Sequence, residues 1–373
     1  MREKLRQLHA TLPENIRYPL DVATASIQDT FQNWNLPACR VQATLPDTGD
    51  QATMLFFGER PQYATWRHSL FGRAIEPVSI GQFTLFQILH SRNPALFADI
   101  TLLPFNPFTR FVFERNGWRV MPLYVNCHVD LRKPIEELFR SKAVKEDLRV
   151  ARRLGYHFDF SNDCNKLEEV FHQMFIPTAR SRHEERAFLS NLEELKFILK
   201  NGILITALLD GQSVGAILLA HESAETIRLA NMGWRNGDDQ WRKKGLVAAL
   251  FNESFAWARE HGFQAVNLGA STPFANDGPL NFKLKWGAAM SVPELGYVNG
   301  QLHGIRSLIG VKLNLASPAT QRFLSSTPLL EYKYNKLGVI GWNAEVPPLF
   351  RRQLEMGIEW VNLAKNDLND SII

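Results

Sequence analysis

Cysteine is scarce in this chain: three in 373 residues, Cys39, Cys127 and Cys164. They are odd in number and far apart, and no Cys-x-x-Cys or Cys/His pair has metal-ligand spacing. That argues against a disulfide-stapled scaffold and a structural zinc site, and makes a reduced, cytoplasmic setting the expectation. Each cysteine is expected as a small core residue. Long apolar runs are missing too. Nothing approaches the ~18 residues a membrane-spanning helix needs, and the first twenty residues, MREKLRQLHATLPENIRYPL, have no apolar signal-peptide core. Charge of one sign is also lacking: 42 Lys and Arg stand against 38 Asp and Glu, a formal +4. So mild an excess suits an anionic ligand but does not by itself argue for nucleic acid. No Gly-x-Gly-x-x-Gly follows a strand, no Gly-x-x-x-x-Gly-Lys-Ser/Thr or His-x-x-x-His occurs, and the one Gly-x-Ser-x-Gly, Gly211-Gln212-Ser213-Val214-Gly215, falls at a hairpin turn and not at a strand-to-helix elbow. A dinucleotide fold, a P-loop, a helical metal pair and a serine nucleophile elbow are therefore not expected, and no metal is.

What is present is apolar and aromatic bulk: 45% hydrophobic residues, 25 Phe and 9 Trp, enough for substantial cores in two or three domains, or one large one. The chain starts helical and turns irregular by residue 50; QATMLFFG at 51–58 and FADITLL at 97–103 read as strands, and 61–67 and 83–90 as helix candidates. One junction occurs three times, in FVFERNGWRVMPL (111–123), LRVARRLGYHFDF (148–160) and FAWAREHGFQAVNL (255–268). Each is a helix, then Gly117, Gly155 or Gly262, then an aromatic residue and a strand. A glycine just past a helix accepts φ > 0, and basic residues in the last turn suit the dipole. Helix and strand therefore alternate, giving a mixed α/β chain. Between the junctions, 202–209, the turn Asp210-Gly211 and 212–220 read as a hairpin, 225–234 as a third strand and 238–261 as one long amphipathic helix. A boundary is expected near 125–135, and a last helix over 348–366.

Three places carry candidate chemistry. Gln240-Trp241-Arg242-Lys243-Lys244-Gly245-Leu246 stands where the third strand gives way to the long helix. Cations in a first turn oppose the dipole unless an anion compensates, so this stretch is a candidate phosphate site; a solvated basic turn is the plainer alternative. In GASTPFANDGPLNFKLKWGA (269–288), Lys283 and Lys285 stand among Phe282, Leu284 and Trp286. They are either snorkelling stems or charges kept for a ligand, with Lys283 favoured for the latter. The dense run 180–186, with Arg180, Arg182, His183, Glu184 and Glu185, is either a solvated corner or a cleft lining. His183, Glu184, Glu185, Glu222 and Asp277 are candidate bases or acceptor contacts. Asp99, acidic in an apolar strand, is a candidate amine contact or a strand-end cap.

These residues together resemble the GNAT acyltransferase superfamily. Arg242-Lys243-Lys244-Gly245 is similar to its pyrophosphate loop, Gln/Arg-x-x-Gly-x-Gly/Ala, with Val247 where a small residue is the rule and Ala248 next to it. Phe282-Lys283 and then Trp286-Gly287, after a loop rich in Gly and Asp, resemble the FemAB-like branch, as do 140–155 and 177–183. The resemblance covers about 125–295 and implies two tandem GNAT-like units, each a mixed, mostly antiparallel sheet flanked by helices. The expected division is a degenerate N-terminal unit at 1–128, a catalytic unit at 129–300 and a helical C-terminal extension packing on the core at 301–373. It implies an N-acyltransferase moving an acyl group from acyl-CoA, as co-substrate, to an amine on an amino sugar or cell-envelope precursor. Lys283, Asp277 and His183 would be catalytic, Arg242, Lys243, Lys244 and Gly245 would hold the cofactor, and Arg180, Arg182, Asp99 and Trp286 would hold the substrate. A cytoplasmic place is expected, with at most peripheral membrane contact and no nucleic acid. Two alternatives stay open: an aminoacyl-tRNA-dependent transferase acting on a peptidoglycan precursor, in which tRNA is the partner, and a catalytically silent scaffold holding a nucleotide-linked ligand.

Overall fold

The structure is a computed structural model that describes residues 12–45, 49–58, 63–72, 75–90, 96, 98–183, 191–293, 295–298 and 301–366. In chain order the strands are β1 (Asn35–Thr44), β2 (Gln51–Phe57), β3 (Val78–Thr84), β4 (Ile100–Phe105) and β5 (Arg119–Pro122). Then come β6 (Val125–Asp130), β7 (His157–Ser161), β8 (Gly202–Leu209), β9 (Gln212–His221), β10 (Thr226–Trp234), β11 (Ala265–Ser271) and β12 (Ala289–Ser291). The last are β13 (Gly296–Val298), β14 (Gln301–His303), β15 (Leu308–Leu313), β16 (Leu329–Lys333), β17 (Lys336–Gly341) and β18 (Glu359–Asn362). The chain is mixed α/β, with mixed sheets flanked by helices. It divides into two compact units: residues 1–125, 272–277 and 292–373 form the first, and 126–271 with 278–291 the second.

The first unit is built on a six-stranded sheet, β3-β1-β2-β4-β15-β5. Its apolar runs are nearly continuous because both faces are covered. With side chains alternating along β2, Met54 and Phe56 join a cluster holding Trp66 and Phe323, while Leu55 and Phe57 join another holding Phe113 and Trp118. A three-stranded sheet, β16-β17-β18, and the pair β13-β14 complete this unit.

The second unit is a seven-stranded sheet, β12-β6-β11-β10-β9-β8-β7. The expected meander β8-β9-β10 is present, turned at Asp210 (φ 50°) and Gly211 (φ 75°). After it come the helix Leu246–Glu260 and β11, which pairs parallel to β10. The three αβ glycines, Gly117, Gly155 and Gly262, take φ of 77°, 69° and 82°.

Several local expectations change. The first helix, Glu14–Gln32, leads into a ten-residue strand, β1, rather than irregular chain. The helix expected over 238–261 is two, Gln240–Lys243 and Leu246–Glu260, split at Gly245. The polar loop before Trp286 holds a helix, Gly278–Lys285. The last expected helix is a short one, Arg351–Glu355, followed by β18 and one further turn. Residues 301–366 are no helical extension. They supply β15, which lies between β4 and β5, because its alternating Ile309 and Val311 carry enough apolar surface to be fully buried.

Candidate active site at the parted strands of the second unit

Pairing between β10 and β11 is short. It holds over Thr226–Ala265, Ile227–Val266 and Arg228–Asn267 and then stops, although β10 runs on to Trp234 and β11 to Ser271. Both strands carry a local cause. On β10 the register with β9 jumps from Leu229–Leu219 to Asn231–Leu218, so Ala230 is a bulge that bends the strand. On β11 Gly269 sits at φ 80°, where a side chain would be strained, and its N–H donates to the Asn267 side chain at 2.8 Å instead of to a neighbouring strand. Asn267 is buried, and its amide nitrogen donates in turn to both carboxylate oxygens of Glu222 at 2.9 and 3.0 Å.

Lys283 completes this arrangement. Its ammonium donates to the Gly269 carbonyl at 3.0 Å, the Ala270 carbonyl at 2.7 Å and the Ser271 hydroxyl at 3.1 Å. An ammonium has three N–H bonds, and here three acceptors of β11 meet them. The carbonyls that β10 would otherwise bond are thus satisfied within the β11 side of the gap. The reason a lysine stands among aromatics follows: the helix Gly278–Lys285 lays Leu280 and Leu284 into the core and carries the ammonium back to the strand end.

The carboxyl end of β10 leads through Arg235–Gly237 and the helix Gln240–Lys243 to the start of the helix Leu246–Glu260. That helix begins on Gly245 at φ 70° and has no side-chain cap. The glycine is required twice over, since a Cβ there would come within 2.7 Å of the Asp147 carbonyl on the helix Lys142–Leu154. The Tyr156 hydroxyl donates to the Lys244 carbonyl at 3.1 Å and fixes the turn from the same side; burial pushes this phenol up to about 12. The uncapped N–H groups and the nearby cations make a positive helix start. Arg242 pairs with Asp239 at 3.2 Å and the Lys244 ammonium lies 4.5 Å from the Trp241 ring centre, whereas Lys243 is exposed. In α/β sheets ligands gather at the carboxyl ends of parallel strands beside such a helix start. These residues fit an anion such as a pyrophosphate: donors and positive charge are there, and no carboxylate caps the helix.

The sequence candidates distribute as follows. Arg242, Lys243, Lys244, Gly245 and Lys283 all stand at the carboxyl end of the β10–β11 pair. Arg180 is exposed on the helix Ile176–His183, whose Thr178 bonds both backbone groups of Trp234 at 2.9 and 3.1 Å. The side chains of Arg182 and His183, and all of Glu184 and Glu185, lie outside the described residues. Trp286 is 1% exposed and packs on Phe139, Phe251 and Phe255, a core position and not a substrate contact. Lys285 faces Asp147, whose carboxyl burial raises while that lysine draws it back. Asp277 and Asp99 belong to the first unit. Asp99 accepts the Thr53 N–H at 2.6 Å and, through its carbonyl, the Asn314 N–H and the Thr320 hydroxyl, so it ties strand ends together. Sequence reasoning passed over Asn267 and Gly269, although an Asn-x-Gly inside an apolar strand is itself a sign of a bend.

No protein-family model matches the sequence, and no curated protein matches it. Solved structures are similar only distantly. FemX is 11% identical, with 76% of this chain and 90% of that one covered and a TM-score of 0.39. L-PGS from Bacillus licheniformis is 16% identical over 68% and 78%, with a TM-score of 0.36. An aminoglycoside acetyltransferase from an uncultured soil metagenomic sample, in complex with sisomicin, is 20% identical over 38% and 95%, with a TM-score of 0.30.

Proposed function

We propose that this chain is an N-acyltransferase of GNAT type, FemAB-like branch, moving an acyl group from acyl-CoA to a primary amine on an amino sugar or cell-envelope precursor in the cytoplasm. The observation that carries the reading is the parted β10–β11 pair with an uncapped, cation-flanked helix start at its carboxyl end. Acyl-CoA, when bound, supplies an activated thioester carbonyl. The protein's share is placement: Leu246–Ala248 offer N–H groups, and Arg242 and Lys243 positive charge, to the donor's phosphates. β10 keeps a backbone edge facing the gap, while Lys283 and Asn267 hold β11 away from it. Bringing the two reactants into one gap is itself a large part of acyl-transfer catalysis. In this reading Lys283 positions β11, and oxyanion stabilisation falls to backbone N–H groups.

Calorimetric titration of the full chain with acetyl-CoA, followed by a mass-spectrometric screen of acyl-CoAs against amino sugars, tests the reading. Expected is saturable CoA binding that weakens about tenfold in the Arg242→Ala/Lys243→Ala double variant with no change in melting temperature. Absence of both CoA binding and transfer rejects it.

A second reading, aminoacyl-tRNA as donor, draws on one feature. The helix Lys142–Leu154 exposes Lys142, Lys145, Arg149, Arg152 and Arg153, and its backbone backs directly on Gly245. A polyanion could follow that face toward the gap. Binding of an aminoacyl-tRNA that falls steeply with salt, alongside no response to CoA, would select it.

A further inference from the structure

The first unit holds a cavity of about 640 Å³, and every described residue that lines it belongs to that unit. Most of its wall is apolar, with Phe111, Ile305 and Leu308 among the lining residues, and the Tyr18 and Tyr332 rings add to it. The Tyr18 hydroxyl donates to the Leu295 carbonyl at 2.5 Å, which anchors one wall. Such a volume and lining are those of small-molecule sites rather than packing defects.

Two polar groups at the wall point to a ligand. Arg110 donates from Nε and Nη2 to Glu114 at 3.2 and 3.4 Å and lies 5.0 Å over the Tyr332 ring, with 19% of its side chain exposed. Its Nη1 has no acceptor among the described residues. Ser307 is 8% exposed, and its backbone groups are bonded to Gly304 and Leu123, yet its hydroxyl has no partner among the described residues. Both atoms keep accessible surface, so each is open to a ligand. Among the described lining residues the acidic and basic ones are Arg110 and Glu114, and their charges cancel. A phosphate or carboxylate would therefore enter a site with no net charge to hold it.

We propose that this cavity binds an uncharged acyl amide: an apolar chain against Phe111, Ile305 and Leu308, with the amide oxygen accepting from Arg110 Nη1 and the amide N–H donating to Ser307 Oγ. The site is independent of the transferase reading, because all of its groups belong to the first unit and its readout is binding.

The test is calorimetric titration of the full chain with N-methyloctanamide, with octanoate as the charged counterpart. Expected is saturable, one-site binding of the amide, at least tenfold tighter than octanoate, weakened about tenfold in Ser307→Ala and in Arg110→Met. Ile305→Trp, which fills the cavity, should abolish it. If Ile305→Trp fails to fold, Ser307→Ala decides. No binding of the amide at millimolar concentration, binding insensitive to Ser307→Ala, or octanoate binding as tightly as the amide each overturns the proposal.

Discussion

At the scale of single residues, the side chain that matters most is Lys283, and it matters through what it already touches. Its ammonium meets two carbonyls and a hydroxyl of β11. Lys283→Met would strand the Gly269 and Ala270 carbonyls and should cost about 2 kcal/mol in urea unfolding. Loosening of β11 should appear as faster amide exchange at 268–271, and stability equal to the parent would mean that water replaces the ammonium without cost. The sequence favours this lysine over Lys285 as a charge for a ligand, and the structure shows its ammonium bonded to the end of β11. Tyr156 supplies a pH test. Its folded-state proton is held up to about 12 against an ordinary 10.0. The folded chain therefore keeps a proton that the unfolded chain releases, so stability is complete below about pH 10 and declines as pH rises toward 12. Tyr156→Phe should remove that part of the alkaline slope and lower stability at pH 7 by about 1 kcal/mol, from the lost bond to Lys244. An unchanged alkaline slope in urea melts would show that the phenol is not the group titrating.

At the scale of elements, one glycine decides how the single helix expected from the sequence becomes two. Residues 238–261 read as one amphipathic helix because Gly245 interrupts neither the 3.6 period nor the charge run. Only the approach of the helix Lys142–Leu154 makes the break necessary, and that contact joins residues about a hundred apart in the chain. Gly245→Ala would put an L-residue at φ 70° and a Cβ against the Asp147 carbonyl. A loss of about 2–4 kcal/mol is expected from the left-handed backbone and the overpacking together, read by thermal or denaturant unfolding. A loss under about 1 kcal/mol would show that the turn shifts freely and is not a built feature. The strand pair is the converse case. The meander β8-β9-β10 was legible because hairpin turns and apolar alternation are local signals, whereas the gap between β10 and β11 depends on where a pairing stops.

At the scale of the whole molecule, the first unit is assembled from three stretches of chain, 1–125, 272–277 and 292–373. β15 fills the place between β4 and β5, so a fragment ending at residue 128 lacks a central strand and leaves two edges open. That fragment should be aggregated or unfolded by circular dichroism and size-exclusion chromatography, and a monomeric, cooperatively melting fragment would refute the assignment. A domain that closes through its C-terminal segment is also hard to read from sequence, because the pairings of β15 with β4 and β5 span 186 to 213 residues. The chain by itself determined the mixed α/β class, the glycine-ended αβ junctions, the hairpin meander and the basic stretch at 242–245, since each arises from periodicity, turn chemistry or charge within a few residues. Tertiary structure alone decided that β10 and β11 part, that Lys283 anchors a strand while Trp286 fills a core, and that the last third of the chain completes the first unit. These outcomes depend on which buried backbone groups find partners, and partners distant in sequence leave no mark in a local window.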